Sequence, residues 1–264
     1  MMYFILNNYQ KLIVIAYMDL KLKYQNSFIG FSWSFIKPLL QFFVYFTVFG
    51  IFLQVDTGDG YALRLFFGVL IWTFFSEATS LGLNSFVGKA SIINKISVNR
   101  LIPPIAAFLT PLFNFCINFI IFIIIYLVSY NSISDFNIFK FFIITVSFLQ
   151  ISILILSLNI ILSFLNVFFR DIKQIWEIVL IYGVFLTPII YKLPIPKEYE
   201  TLYYCTNLLS FPLENIKYCF FNGYTPILIY DIWLWVLHSA VIVLLFVVSL
   251  VIENKLKSKI SDFL

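Results

Sequence analysis

Apolar residues in this chain run in stretches too long for a water-facing helix, separated by short clusters of charge. A helix crossing the hydrocarbon core of a bilayer needs about 20 mostly apolar residues. Six stretches qualify, at about 28–55, 62–86, 102–130, 138–165, 174–191 and 226–251. Backbone polar groups in lipid must be satisfied internally, and period-two alternation is absent, so the stretches read as helices and not as a β-barrel. The pattern predicts an all-α, polytopic membrane protein. It has six transmembrane helices, an N-terminal amphipathic interfacial helix, and a re-entrant helix pair before the last span.

Three segments fall outside the spans. Residues about 5–26 mix Leu12, Ile13, Ile15, Ala16 and Leu20 with Lys11, Asp19, Lys21 and Lys23, which reads as an amphipathic helix lying on the membrane surface. Residues 1–27 form this unit and residues 28–264 the spanning domain. The loop from Lys89 to Pro104 is basic and free of acids, and its Pro103-Pro104 can open the next helix. Its charge serves either as a topology signal or as a docking element, and the loop alone leaves both open. The segment 192–225 is long and aromatic, and predicts two short helices capping a pathway, with a break near Asn207 to Pro212.

Composition agrees with lipid as the main solvent. The chain of 264 residues is 62% hydrophobic and 11% charged, against about 45–50% and about 25% in a soluble domain. It holds 33 Phe, 16 Tyr and 5 Trp, suited to a bilayer core, interfacial belts or a conduit with sticky walls. Cationic residues divide unequally between the two sides. Lys11, Lys21, Lys23, Lys37, Lys89, Lys95, Arg100, Arg170, Lys173, Lys255, Lys257 and Lys259 lie on one side, twelve of the 17. Arg64, Lys140, Lys192, Lys197 and Lys217 lie on the other. The positive-inside rule then puts both termini in the cytoplasm, which requires an even number of spans. The start of the chain carries no pattern of a cleavable signal, because no cation precedes the first apolar run and Asp19 interrupts it.

Candidate chemistry is sparse. The nearest approach to a phosphate-binding loop, Gly82 to Ala90, has five residues between its glycines instead of four and lacks the hydroxyl that would hold magnesium. Cys116, Cys205 and Cys219 show no metal-type spacing, and Cys205 and Cys219 read as free thiols in preference to a disulfide. His238, inside the last span, reads as a packed hydrogen-bond partner. Glu77 is an intramembrane carboxylate that must face protein or water or be protonated. A structural hydrogen-bonding role is favoured over ion coupling, because the other spans are nearly bare of charge. Arg170 and Asp171, at the end of the fourth span, can pair or grip helix ends.

Several motifs carry a resemblance. Asp19-Leu20-Lys21-Leu22-Lys23-Tyr24, then Ser27 to Ser34, then Lys37-Pro38-Leu39 closely resembles the opening signature of polysaccharide permeases of the type-2 ABC exporter family. Phe74-Phe75-Ser76-Glu77 with Gly82 follows, then Asn94-Lys95 through Pro103. Next come Leu165 to Ile172, Thr187-Pro188-Ile189-Ile190-Tyr191, and Asn207 with Pro212-Leu213-Glu214 and Gly223. The matches keep the family's order along nearly the whole chain. Met18, Ile71, Asn99 and Leu208 depart from it, the last three where the family has proline.

The resemblance implies a transport subunit and not an enzyme, with no cofactor of its own. It implies a homodimer in the cytoplasmic (inner) membrane above two copies of a separate ABC ATPase that holds ATP and Mg. Asp19, Lys21, Lys23, Lys89, Lys95 and Arg100 would couple to that subunit. The cargo would be a polyprenyl-linked polysaccharide, O-antigen-like, with membrane lipid around the spans and no nucleic acid. Trp33, Tyr45, Phe49, Trp72, Phe75, Tyr191, Tyr203 and Tyr204 are channel or gate candidates, and Glu77, Arg170 and Asp171 structural polar ones. An ion-coupled transporter or flippase would show inverted repeats and several intramembrane charges, which the chain lacks. A membrane glycosyltransferase would need acidic clusters, for which Asp171 alone is a poor candidate.

Overall fold

The computed structural model describes residues 2–25, 29–55, 60–90, 99–130, 137–191, 195–221, 231–256 and 260. Every regular element among them is helical. In chain order these are α1 (Met2–Tyr24), α2 (Trp33–Tyr45), α3 (Tyr61–Leu83), α4 (Ile102–Tyr130), α5 (Ile138–Phe168), α6 (Ile172–Leu186), α7 (Lys197–Thr206), α8 (Ser210–Phe220) and α9 (Ile232–Leu256). A 3-10 turn, Gly30–Ser32, leads into α2, and a π-helix, Phe46–Phe52, continues it. Pro103 and Pro104 fall in the first turn of α4, where a missing N–H costs nothing.

Five helical stretches are long and apolar enough to cross a membrane: Gly30–Phe52, Tyr61–Leu83, Ile102–Ser129, Ile138–Phe168 and Ile232–Leu256. The chain is a multi-pass membrane protein. Its most buried span is the least apolar of the five: α3 buries 16 of its 23 residues, whereas α9, the most apolar, buries five of 25. This order is expected where the outer solvent is lipid and the interior holds the small and polar contacts. α3 packs on α4, α5, α2 and α6, and α5 packs in turn on α9 and α8. Much of the Phe content forms an internal spine. Phe74 stacks on Phe115 at 4.8 Å between ring centroids, Phe67 meets Phe122 at 5.0 Å, and Phe122 meets Phe220 edge-on at 5.5 Å.

The fifth expected span differs. Helix α6 has 15 residues and stops at Leu186, five short of the predicted end. At about 1.5 Å per residue it covers about 22 Å, less than a hydrocarbon core. Pro188 is the cause. The residue before a proline is pushed out of the helical region, and Thr187 is extended at φ −93° and ψ 141°.

Thr187, Pro188, Ile189 and Ile190 are buried, so this irregular run needs donors from elsewhere. The Leu186 carbonyl accepts from Tyr203 Oη at 2.8 Å and Asn207 Nδ2 at 3.0 Å. The Pro188 carbonyl accepts from the Lys217 ammonium, which also lies 3.5 Å from the Ile189 carbonyl. The Ile190 carbonyl accepts from Tyr61 Oη at 3.0 Å. The expected helix pair follows as α7 and α8, and the break between them falls at Asn207 to Leu209. Pro212 is already inside the first turn of α8.

Candidate functional site

Two regions on different faces of α3 collect the chemistry. The first is where α1 meets the C-terminal half of α3. Helix α1 buries Ile15 and Ala16 against Ile102 and Ala106 of α4. That packing brings Lys23 to Glu77, and the two form an ion pair. The Glu77 side chain is 17% exposed, and Asn114 Nδ2 also donates to its carboxylate at 3.3 Å. Tyr24 Oη donates to Asn114 Oδ1 at 3.2 Å, and Asn118 Nδ2 to the Ser34 carbonyl at 3.1 Å. The intramembrane acid thus has a matched cation, supplied by a helix outside the spans. A second ion pair, Asp19 with Lys89 at 2.5 Å, ties α1 to the turn after α3.

Of the six expected coupling residues, Asp19, Lys23 and Lys89 are therefore held in ion pairs, and Lys21 is exposed. Arg100 is half-buried at the start of α4, and Lys95 lies outside the described residues. Arg170 and Asp171 are exposed in the turn between α5 and α6 and form no ion pair among the described residues. The Asp171 side chain does not cap α6.

The second region is a cavity of about 430 Å3 among α3, α5, α6, α7 and α9. Trp72 and Phe75 of α3 form one wall, 5.6 Å apart, and Trp176 of α6 stands 6.3 Å from Phe75. Trp176 Nε1 donates to the hydroxyl of buried Thr79 at 3.1 Å, which fixes the indole. A Cβ at Gly183 would lie 2.8 Å from the Trp72 ring, so glycine is what lets α6 come this close. Thr187, Tyr203 and Asn207 give the cavity a polar rim against its apolar walls.

The cavity unites three of the expected channel residues: Trp72, Phe75 and Tyr203. Tyr45, Phe49 and Tyr191 form a separate strip beside Phe185, with Phe49 at 6.4 Å from Tyr45 and 6.5 Å from Tyr191. Trp33 is at the other end of the bundle, on the exposed face of α2. Tyr204 does not line the cavity. It is 4% exposed and donates to Glu214 at 2.5 Å, packed edge-on against Phe211. Burial, and then the neighbouring Glu214 carboxylate, push its phenol pKa up.

Sequence reasoning missed Trp176 as a wall and Lys217 as a buried donor. A lone cation amid the apolar run Phe211 to Phe221 was the available signal for the second. All three cysteines are free, and His238 Nε2 sits 3.1 Å from the Leu208 carbonyl.

A family profile described as "ABC-2 type transporter" matches residues 10–221. Two curated proteins of Klebsiella pneumoniae, each named O-antigen export system permease protein RfbA, are similar to this chain. Each is 28% identical over 253 residues, which is 96% of this chain and 94% of the relative. A protein of the same name from Myxococcus xanthus is 26% identical over 182 residues, 69% of this chain and 68% of its own.

Proposed function

The chain belongs to the ABC-2 type transporter family, and from that premise we propose that it is the membrane subunit of an ATP-driven exporter of a lipid-linked, O-antigen-like cell-surface polysaccharide. The observation that carries this reading is the end-to-end similarity to O-antigen export permeases. The aromatic cavity supports it. Indole and phenyl faces with a polar rim suit sugars, whose faces are apolar and whose edges are hydroxylated, and such contacts tolerate sliding.

In this reading the subunit works as a homodimer over two copies of a cytoplasmic ABC ATPase that binds ATP and Mg. Both termini are cytoplasmic, the membrane is the inner one, and α6 with the run Thr187 to Tyr191 makes a sixth, partly irregular crossing. The excess of Lys and Arg at the α1 end supports that orientation. Helices α7 and α8 act as outer gate elements, and α1 with the turn around Lys89 is the docking surface. The Lys23–Glu77 pair, with Asn114 beside it, supports a structural polar role for Glu77.

The test is co-purification with the ATPase subunit encoded alongside, followed by ATPase measurement in lipid. A stable complex whose hydrolysis responds to lipid-linked glycan is the expected result. Glycan transport driven by a proton gradient, with no ATPase partner, would overturn the reading.

A further inference from the structure

The span Gly30–Phe52 contains a single charged residue, Lys37, about two turns in. Lys37 is exposed and forms no hydrogen bond or ion pair among the described residues. An ammonium near the end of a span reaches back toward water or a ligand, with its stem along the helix. Lys37 opens onto a cavity of about 330 Å3 at the α1 end, shared with Lys23, Trp33, Ser34, Thr73 and Glu77. Two ammonium groups and one carboxylate leave it net positive. Trp33, 44% exposed, lies one helical turn before Lys37 on the same face. Beyond Lys37 that face continues as exposed Leu40 and Val44. Along α2 the order is therefore an indole, a cation, then an apolar stripe running toward the middle of the span.

That order matches an amphiphile lying along the helix, with sugar, phosphate and hydrocarbon in the same sequence. We propose that this cavity binds the diphosphate headgroup of a membrane-anchored glycan carrier. Lys37 is the principal contact, Lys23 is a second cation shared with Glu77, and Trp33 stacks on the first sugar. The proposal rests on the permease reading for the nature of its ligand. Two cations suit two phosphates, and an indole wall suits a sugar ring better than a glycerol. Lys23 already serves Glu77, so an arriving diphosphate competes with the carboxylate for it. Asn114 remains as a donor to Glu77 when Lys23 turns away. Ordinary anionic phospholipid carries the same phosphate chemistry, and the test separates the two sources.

The full chain in uncharged detergent is titrated with three probes, and bound lipid is counted by native mass spectrometry. The probes are polyprenyl diphosphate, polyprenyl diphosphate bearing one sugar, and phosphatidylglycerol. Loss of one charge-assisted contact weakens binding about tenfold or more. Lys37→Gln is expected to weaken both diphosphate probes by that factor, Lys37→Arg to restore them, and phosphatidylglycerol to be unaffected. Trp33→Leu is expected to weaken the sugar-bearing probe more than the bare one. Both positions are exposed, and an unchanged melting temperature verifies the fold. Wild-type binding by Lys37→Gln, or an equal loss of phosphatidylglycerol, overturns the headgroup site. Equal effects of Trp33→Leu on both diphosphates overturn the sugar contact. The assay needs no ATPase, so wild-type protein that binds neither diphosphate probe yet forms an intact ATPase complex sinks this proposal alone. Retained binding with no ATPase partner sinks the permease reading alone.

Discussion

Two charges toward opposite ends of the bundle, Glu77 and Lys217, are matched in ways that differ in kind. At the α1 end a carboxylate, Glu77, is matched by a lysine side chain from a helix outside the spans, with Asn114 in support. At the opposite end an ammonium, Lys217, is matched by main-chain carbonyls freed where α6 breaks at Pro188. The first device joins two long side chains, one of which can turn to water, because Lys23 keeps 32% of its side chain exposed. The second joins a side chain 2% exposed to a carbonyl buried with it. The first can therefore be exchanged, and the second cannot. One end is built to be released and the other to hold a broken helix in shape.

The strongest test of that contrast is Lys217→Met. It removes the donor to the Pro188 carbonyl and the long contact to Ile189. Stranding buried acceptors of a charged donor costs about 3 kcal/mol. Unfolding of the detergent-solubilised protein by SDS, followed by circular dichroism, is expected to show a loss of that size. A loss below about 1 kcal/mol would mean that water reaches the run Thr187 to Ile190, and the contrast would fail.

Breaking the other device should cost less and should be asymmetric. Lys23→Met leaves a mostly buried carboxylate with Asn114 alone and is expected to cost about 1–2 kcal/mol. Glu77→Gln keeps the shape and an acceptor oxygen, and leaves a lysine free to hydrate, so it is expected to cost less than about 1 kcal/mol. The same SDS titrations rank the two. Equal costs would show that Lys23 is as confined as Glu77 and that the pair is not exchangeable.

The sequence made the helices legible and their breaks only partly so. The third expected span, 102–130, coincides with α4, because a long apolar run opened by Pro103-Pro104 leaves little choice of ends. The fifth was overextended, because apolarity continues through Thr187 to Tyr191 while helical geometry stops at Pro188. Hydropathy also hid which span is central. In lipid the burial of α3 shows as fewer apolar residues and closer contacts, not as more hydrophobicity. Glu77 was recognised as needing a partner, but its partner is 54 positions away in a segment that reads as a surface helix. Pairing across that distance is set by how α1 lies on α4, which no local pattern encodes. Three of eight channel candidates share the cavity, since aromatic type alone does not tell a wall from a core residue.

A smaller effect separates backup from necessity within the α6 break. The Leu186 carbonyl has two donors, Tyr203 and Asn207, where the Pro188 carbonyl has Lys217. Asn207→Ala should cost only about 1 kcal/mol, the ordinary net value of one hydrogen bond whose acceptor stays satisfied. The same titration measures it. A cost near that of Lys217→Met would show that Tyr203 cannot hold the carbonyl alone, and the α7 anchor would then be a single unit.

The smallest effect is expected at Asp19, whose pair with Lys89 ties α1 to the turn after α3 at 2.5 Å. Both side chains keep some contact with solvent, 19% and 15% exposed, so Coulomb attraction there is partly screened and the entropy of two long side chains offsets it. Asp19 also sits toward the C-terminal end of α1, where the helix dipole disfavours a negative charge, although the effect fades beyond the last turn. Asp19→Asn removes both terms, and their partial cancellation leaves about 0.5 kcal/mol. Global unfolding is expected to move little, while amide exchange along α1 quickens at low salt and matches wild type at high salt. A salt-independent loss as large as that of Lys217→Met would mean that this end too is locked, and that α1 is a fixed brace and not a part free to move against α3.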